Sequence, residues 1–262
     1  LGVLLNDLGK LEEAELSTRK AIELNPNFAD AAWNLYGLAN TIEEAEEKIN
    51  LCLKIDENYL KAKLTLSALK LHQGDQSLFN NLIKSTYKNH PIIRSFQWIS
   101  TLPKLPNLFF HKWALFDNIV NKSKKHRPFY EFGVLRGHSF KYLINTFKKG
   151  YGFDTFKGLP EDWHNVKKGK YSAEGIIPNI DGGVFIAGKF EDTLPTFFSQ
   201  ARPTASVINF DADLYSSTLC ALNHSKSVID KDTILIFDEF IVHQTWENDE
   251  YRALNEFCSK NN

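Results

Sequence analysis

The chain has 262 residues, 43% hydrophobic and 24% charged, an ordinary globular balance with room for one large domain or two modest ones. A formal net charge of −1 gives no electrostatic footprint for nucleic acid or an anionic membrane, and no run approaches the ~20 apolar residues that span a bilayer. Cys52, Cys220 and Cys258 are far apart and in no metal spacing, which predicts a reduced, cytoplasmic protein in which all three are small buried hydrophobes.

The sequence opens on Leu1, inside what reads as a helix already under way, and contains no methionine; a piece of a longer reading frame is expected. Repeats come first along the chain. LEEAE at 11–15 recurs as IEEAE at 42–46, and LNPNF at 24–28 recurs as IDENY at 55–59, both at an offset of 31 residues. Ala14, Ala21 and Ala45 alternate with Leu and Ile at helical spacing, so that helices can approach closely, while Gly9 and Pro26 sit where helices must turn. This pattern resembles the tetratricopeptide repeat over roughly residues 1–75, best over LGKLEEAELSTRKAIELNPNFADA. The second unit is shorter than the usual ~34 residues, and KAKLTLSALKLHQGD at 61–75 reads as the start of a third, degenerate unit. The resemblance implies an all-α segment, assigned to 1–100, with a concave face for a protein partner.

Residues 101–127 read as a helical connector. LPKLP at 102–106 is a break, FHKWALFDNIVNKS at 110–123 an amphipathic helix, and KSKKHRP at 122–128 a solvated junction. After Pro128 the texture changes. FYEFGV (129–134), GYGFDTF (150–156), VFIAGKF (184–190), SVINFDAD (206–213) and TILIFDEF (233–240) are strand candidates, with helical stretches near 139–148, 192–200, 215–229 and 248–259. This alternation predicts an α/β domain over 128–262, a Rossmann-like, doubly wound parallel sheet whose ligands bind at the carboxyl ends of the strands.

The acidic residues fall at those ends: Asp154, Asp211, Asp213, Asp238 and Glu239. The first strand leads into EFGVLRGHS, where Gly133 and Gly137 allow a tight turn and close approach to a ligand. The loop is neither GxGxxG nor a P-loop, which counts against an NAD or nucleotide-sugar enzyme. Asp154, 21 residues after Gly133, is placed to accept hydrogen bonds from the ribose hydroxyls of an adenosine. DADLYSST and FDEF close two further strands with carboxylates that would repel one another without a cation, and oxygen-only ligands favour Mg²⁺ or a similar hard ion.

Taken in order, EFGVLRGHS, GFDTFKGLPE (152–161), GKFEDTLP (188–195), DADLYSST and FDEF resemble the macrocin O-methyltransferase family, class I enzymes that use S-adenosylmethionine to methylate sugar hydroxyls of macrolides and related natural products. The match runs from about residue 128 to 257. It implies that Glu131, Gly133 and Gly137 line the methionine end of the cofactor with Ser139 beside it. Asp154 and Phe156 would hold the ribose and adenine edge, and Phe190, Glu191 and Asp192 would lie near the adenine. Asp211, Asp238 and Glu239 match metal-binding positions; Asp213 is a further ligand or the base. His243 is a second candidate base. There are departures: His138 stands where the family has a second glycine, and Glu239 where it has a second aspartate. The loop 157–183, carrying Trp163 and His164, is long enough for a lid over the substrate. The family fold has seven strands, so a sheet lacking its last hairpin, with an open edge, is expected. The rival reading is a tetratricopeptide scaffold whose Rossmann-like part is catalytically inactive.

Overall fold

The computed structural model describes residues 1–261. It divides into two compact units, Leu1–Asn118 and Ile119–Asn262. Among the described residues no helix is long and apolar enough to cross a membrane.

The first unit is all-helical: α1 (Gly2–Asp7), α2 (Leu11–Leu24), α3 (Ala29–Tyr36), α4 (Ile42–Ile55), α5 (Leu60–His72), α6 (Ser77–Ile83), α7 (Pro91–Ile99) and the start of α8 (Lys112–Lys122). The 31-residue offset of the sequence is visible as repeated turn chemistry. Asn25 and Asp56 each end a helix, and each side chain accepts the backbone N–H two residues on, from Asn27 at 3.2 Å and Asn58 at 2.9 Å. The next residues, Phe28 and Tyr59, each donate their N–H back to the carbonyl of that same Asn or Asp. Such Asx turns stop one helix and aim the next. Ala14 and Ala45, also 31 apart, are fully buried. Thr41 caps α4, its side chain accepting the Glu44 N–H at 3.1 Å.

The second unit is a five-stranded parallel sheet: β1 (Phe129–Phe132), β2 (Gly150–Asp154), β3 (Gly183–Ala187), β4 (Val207–Phe210) and β5 (Ile234–Phe237). Four helices follow strands: α9 (His138–Phe147), α10 (Phe190–Phe198), α11 (Tyr215–Ser225) and α12 (Glu250–Asn261). The order is β3-β2-β1-β4-β5. The chain therefore winds outward in one direction from β1 and in the other from β4, leaving a topological switch point between those two strands.

A ladder of phenylalanines sets the register. Phe153, Phe132, Phe210 and Phe237 are cross-strand partners on β2, β1, β4 and β5, with neighbouring rings stacked at centroid distances of 4.9, 5.4 and 4.8 Å. In-register aromatic pairs stabilise a sheet beyond the area they bury. A one-residue slip of any of these strands would turn its ring to the opposite face, so the rings fix which residues emerge at the carboxyl edge. On the other face Gly150 and Gly152 leave room for the rings of Phe129, Phe140 and Phe185, which a Cβ there would meet at 2.4–2.9 Å.

Two expectations are corrected. The third strand ends at Ala187 rather than Phe190, because Gly188 has φ +144° and Phe190 already begins α10. Of the cysteines only Cys52 is buried; Cys220 is half-buried and Cys258 exposed. Cys258 lies in the last turns of the mostly polar α12, where only Glu250 and Ala253 are buried.

Candidate active site

Each strand of the phenylalanine ladder is followed, or ended, by one residue of a second row. Phe153 precedes Asp154, Phe132 precedes Gly133, Phe210 precedes Asp211 and Phe237 precedes Asp238. Backbone bonds carry the register into this row: Gly133 N donates to Phe153 O at 2.9 Å, Asp211 N to Phe132 O at 2.8 Å and Asp238 N to Phe210 O at 3.0 Å. Three aspartates and one glycine thus stand side by side across the switch point.

The glycine is required there. A Cβ on Gly133 would lie 1.7 Å from the Asp211 carbonyl oxygen, and its φ of +92° disfavours any other residue. Asp154 ties down the chain beyond it. Its Oδ2 accepts the N–H groups of Val134 at 2.8 Å and Leu135 at 2.7 Å, and its Oδ1 that of Phe156 at 2.7 Å. The carboxylate read as a ribose partner is thus also the organiser of the glycine loop. Gly137, with φ +74°, precedes α9, and Ser139 is buried in the first turn of that helix.

Glu131 lies within β1 rather than at its end, fully buried, with Oε1 accepting from Asn209 Nδ2 at 2.8 Å on the adjacent strand. Phe156 is buried with Val134 and Ala173. Phe190 is a core residue, edge-on to Phe132 with centroids 5.7 Å apart, whereas Glu191 and Asp192 are exposed on the first turn of α10. Of the three positions matched to the adenine, the structure therefore puts one in the core and two at the surface.

The acidic row is electrostatically loaded. Burial pushes Asp211 well above the usual carboxylate range, reinforced by Asp238, Glu131, Asp213 and Glu250. Asp213, at φ +59°, is pushed up to about 7, first by burial and then by Glu239, Asp238, Asp154 and Asp249. Glu239 is raised by burial and Asp238, with His243 opposing. Glu250 is raised well above its ordinary value by burial, against the lowering effect of the Glu239 N–H that its Oε2 accepts at 3.0 Å.

Sequence reasoning missed Glu250 and Asp249. Both are buried, yet acidic residues at a helix N-terminus read as exposed partners of the helix dipole. The unusual signal was their position directly after the strand-end acids and their loop. His243, by contrast, is tethered: Nε2 lies 2.9 Å from the Glu239 carbonyl and Nδ1 3.9 Å from Asp249 Oδ2.

The donor chemistry fits a hard divalent cation. The row offers only oxygens, and Glu250 Oε1 is buried without a hydrogen-bond partner. Among the described residues, however, no three His, Cys, Asp or Glu side chains are grouped so as to hold a metal ion.

No family model matches the chain. Among curated proteins, the peroxisomal targeting signal receptor of Saccharomyces cerevisiae (strain ATCC 204508 / S288c) is 36% identical over 101 residues, 36% of this chain but 16% of that protein. The chain thus spans about a sixth of that relative. Among solved structures, the calicheamicin methyltransferase CalS11 is similar with a TM-score of 0.44 and 20% identity over 76% of this chain and 84% of that one. Its apo form, described as a TDP-rhamnose 3'-O-methyltransferase, gives 0.42 and 19% over 76% and 86%. The O-methyltransferase NovP gives 0.38 and 18% over 55% and 70%. At this distance, the reading of the site rests on the residues of this chain.

Proposed function

We propose that the second unit is an S-adenosylmethionine-dependent O-methyltransferase, assisted by a divalent cation such as Mg²⁺, acting on a hydroxyl of a sugar, glycan or glycosylated natural product. The observation that carries this is the row Asp154–Gly133–Asp211–Asp238, set in register across the switch point by the phenylalanine ladder. A glycine loop held by a strand-end carboxylate suits an adenosine-containing ligand. Buried carboxylates beside it suit a cation and a proton acceptor.

In this reading Gly133, Gly137 and Ser139 border the methionine end of the cofactor, and Asp154 offers its remaining lone pairs to the ribose. Asp211, Asp238 and Glu239 would hold the cation, which supplies Lewis acidity toward the acceptor oxygen. Asp213 is the base. Burial and the neighbouring acids raise Asp213 above the usual carboxylate range, so it would be placed to take the acceptor's hydroxyl proton, while S-adenosylmethionine, when bound, would supply the methyl group. His243 is bound to the Glu239 carbonyl, so it supports that loop rather than removing the proton. The helical unit is proposed as a docking module for a protein partner: it carries the repeat and no clustered ionisable motif.

Calorimetric titration with S-adenosylhomocysteine, with and without Mg²⁺, tests the reading. Binding to this ligand and not to NAD is expected. A folded chain that binds neither would refute it.

A further inference from the structure

The connection from β2 to β3 contains a closed strap that the site described above does not use. Its neck is formed where Leu159 N donates to Lys170 O at 2.8 Å and Gly169 N donates to Leu159 O at 3.0 Å. Gly158 is pressed into this neck: a Cβ there would lie 2.4 Å from the carbonyl oxygens of both Gly169 and Lys170. At the tip, Trp163 and Val166 exchange backbone hydrogen bonds at 2.8 and 2.7 Å, closing a tight turn with His164 at φ +50°. That conformation is uncommon for a non-glycine residue, although histidine is among those that adopt it more readily.

Two side-chain anchors hold the strap. Ser216 donates its hydroxyl to Glu161 Oε1 at 2.5 Å, and Ser216 lies three residues beyond Asp213. The other anchor is at the tip. His164 Nε2 lies 2.8 Å from Asp249 Oδ2, 85 residues away, and 2.6 Å from Thr245 Oγ1, which itself donates to Asp249 Oδ2 at 3.0 Å. The His164 side chain is 40% exposed, that of Asp249 only 6%. The buried partner thus sits in the wall of the site, where its charge acts on Asp213 and Glu239, and the more exposed partner is carried by the strap. Trp163 packs beside His243 with ring centroids 6.0 Å apart, placing the strap tip against the loop that follows β5.

We propose that His164 and Asp249, with Thr245, form a latch that holds the strap 158–170 shut across the acidic end of the sheet and so controls access of the acceptor to Asp213. The latch stands on this geometry; that the ligand it admits is a methyl acceptor rests on the proposed function. His164 and Asp249 are positioning residues, since neither is placed against the reacting atoms.

Limited proteolysis of the full chain by trypsin tests the latch, because Lys168 and Lys170 are exposed on the strap. When opening is fast relative to cutting, the cleavage rate follows the population of the open form. His164→Asn keeps a residue that tolerates the left-handed turn but removes the reach to Asp249. Asp249→Asn keeps the shape and removes the charge. Each should speed cleavage at Lys168 and Lys170 by about tenfold, the factor expected for a lost hydrogen bond to a charged group. Cleavage at Lys122–Lys125 and the melting temperature should stay constant. The double variant should be cut no faster than either single one, since both remove the same contact. Unchanged strap cleavage, or additive effects in the double variant, would overturn the latch. Calorimetry with S-adenosylhomocysteine on the same proteins separates the two ideas: its failure with the unmutated chain sinks the proposed function, not the latch.

Discussion

Replacing Asp154 by alanine is the most informative single perturbation of the site. The carboxylate accepts three backbone N–H groups, from Val134, Leu135 and Phe156. Leu135 is 38% exposed and can turn to water, but Val134 and Phe156 are 4% and 1% exposed and would be left with buried, unsatisfied donors. Each such donor costs about 1–3 kcal/mol, so Asp154→Ala should destabilise the second unit by about 2–6 kcal/mol. For a domain of this size, that corresponds to a melting temperature lower by roughly 5–20 °C. The glycine loop loses its tether in the same step, and affinity for S-adenosylhomocysteine should fall at least about tenfold. Asp154→Asn retains one acceptor oxygen, which can face the Val134 and Leu135 N–H groups while leaving Phe156 unserved, so its stability should be intermediate. Differential scanning calorimetry and isothermal titration on the three proteins measure both quantities. If Asp154→Ala melts with the unmutated chain and binds the ligand equally well, both the tether and the ribose role are wrong.

Other expectations concern the rest of the row. Gly133→Ala must either displace the Asp211 carbonyl or abandon a φ of +92°, and should lower the melting temperature and abolish calorimetric binding of S-adenosylhomocysteine. Asp213 has a folded pKa near 7 against an ordinary value of 3.8, so the folded state holds its proton more tightly. The stability this contributes is complete below about pH 4 and is lost as pH rises to 7; a melting-temperature series should fall over that window and flatten in Asp213→Asn. Mg²⁺ should raise the melting temperature more at pH 8 than at pH 5, where burial and its acidic neighbours already keep Asp213 protonated; equal effects at both would count against a cation at these carboxylates. Asp211→Asn and Asp238→Asn should each remove methyl transfer, as should chelation, while ligand calorimetry stays largely intact. A truncated chain beginning near residue 100 should keep its affinity for S-adenosylhomocysteine; loss of binding by a folded fragment would end the modular reading.

The parts of the architecture legible in the sequence are those encoded locally. All five strands were visible as β-rich apolar runs, and the acids fell at their ends because three of the runs stop at a Phe-Asp step and a fourth at Phe-Gly. The same step repeated four times is the register signal, although its meaning emerges only once the strands are ordered side by side. The boundary of α10 was displaced because the apolar run VFIAGKF reads as one strand through Phe190, whereas the strand stops at Ala187 and Phe190 already opens the helix. Contacts spanning long separations were not legible. Nothing local distinguishes Asp249 from an exposed helix-start acid, since its partner lies 85 residues upstream on a loop. Nor does spacing reveal that Asp154 already serves three backbone donors.

The contact between Gly133 and the Asp211 carbonyl makes the two halves of the site one mechanical element. Whatever orders the glycine loop also sets where the β4 carboxylates stand, because no side chain separates them to absorb the movement. Linkage then runs both ways: a ligand on the loop and a ligand at the acids must change each other's affinity by the same factor. Any such coupling would pass through the single close approach of Gly133 to the Asp211 carbonyl.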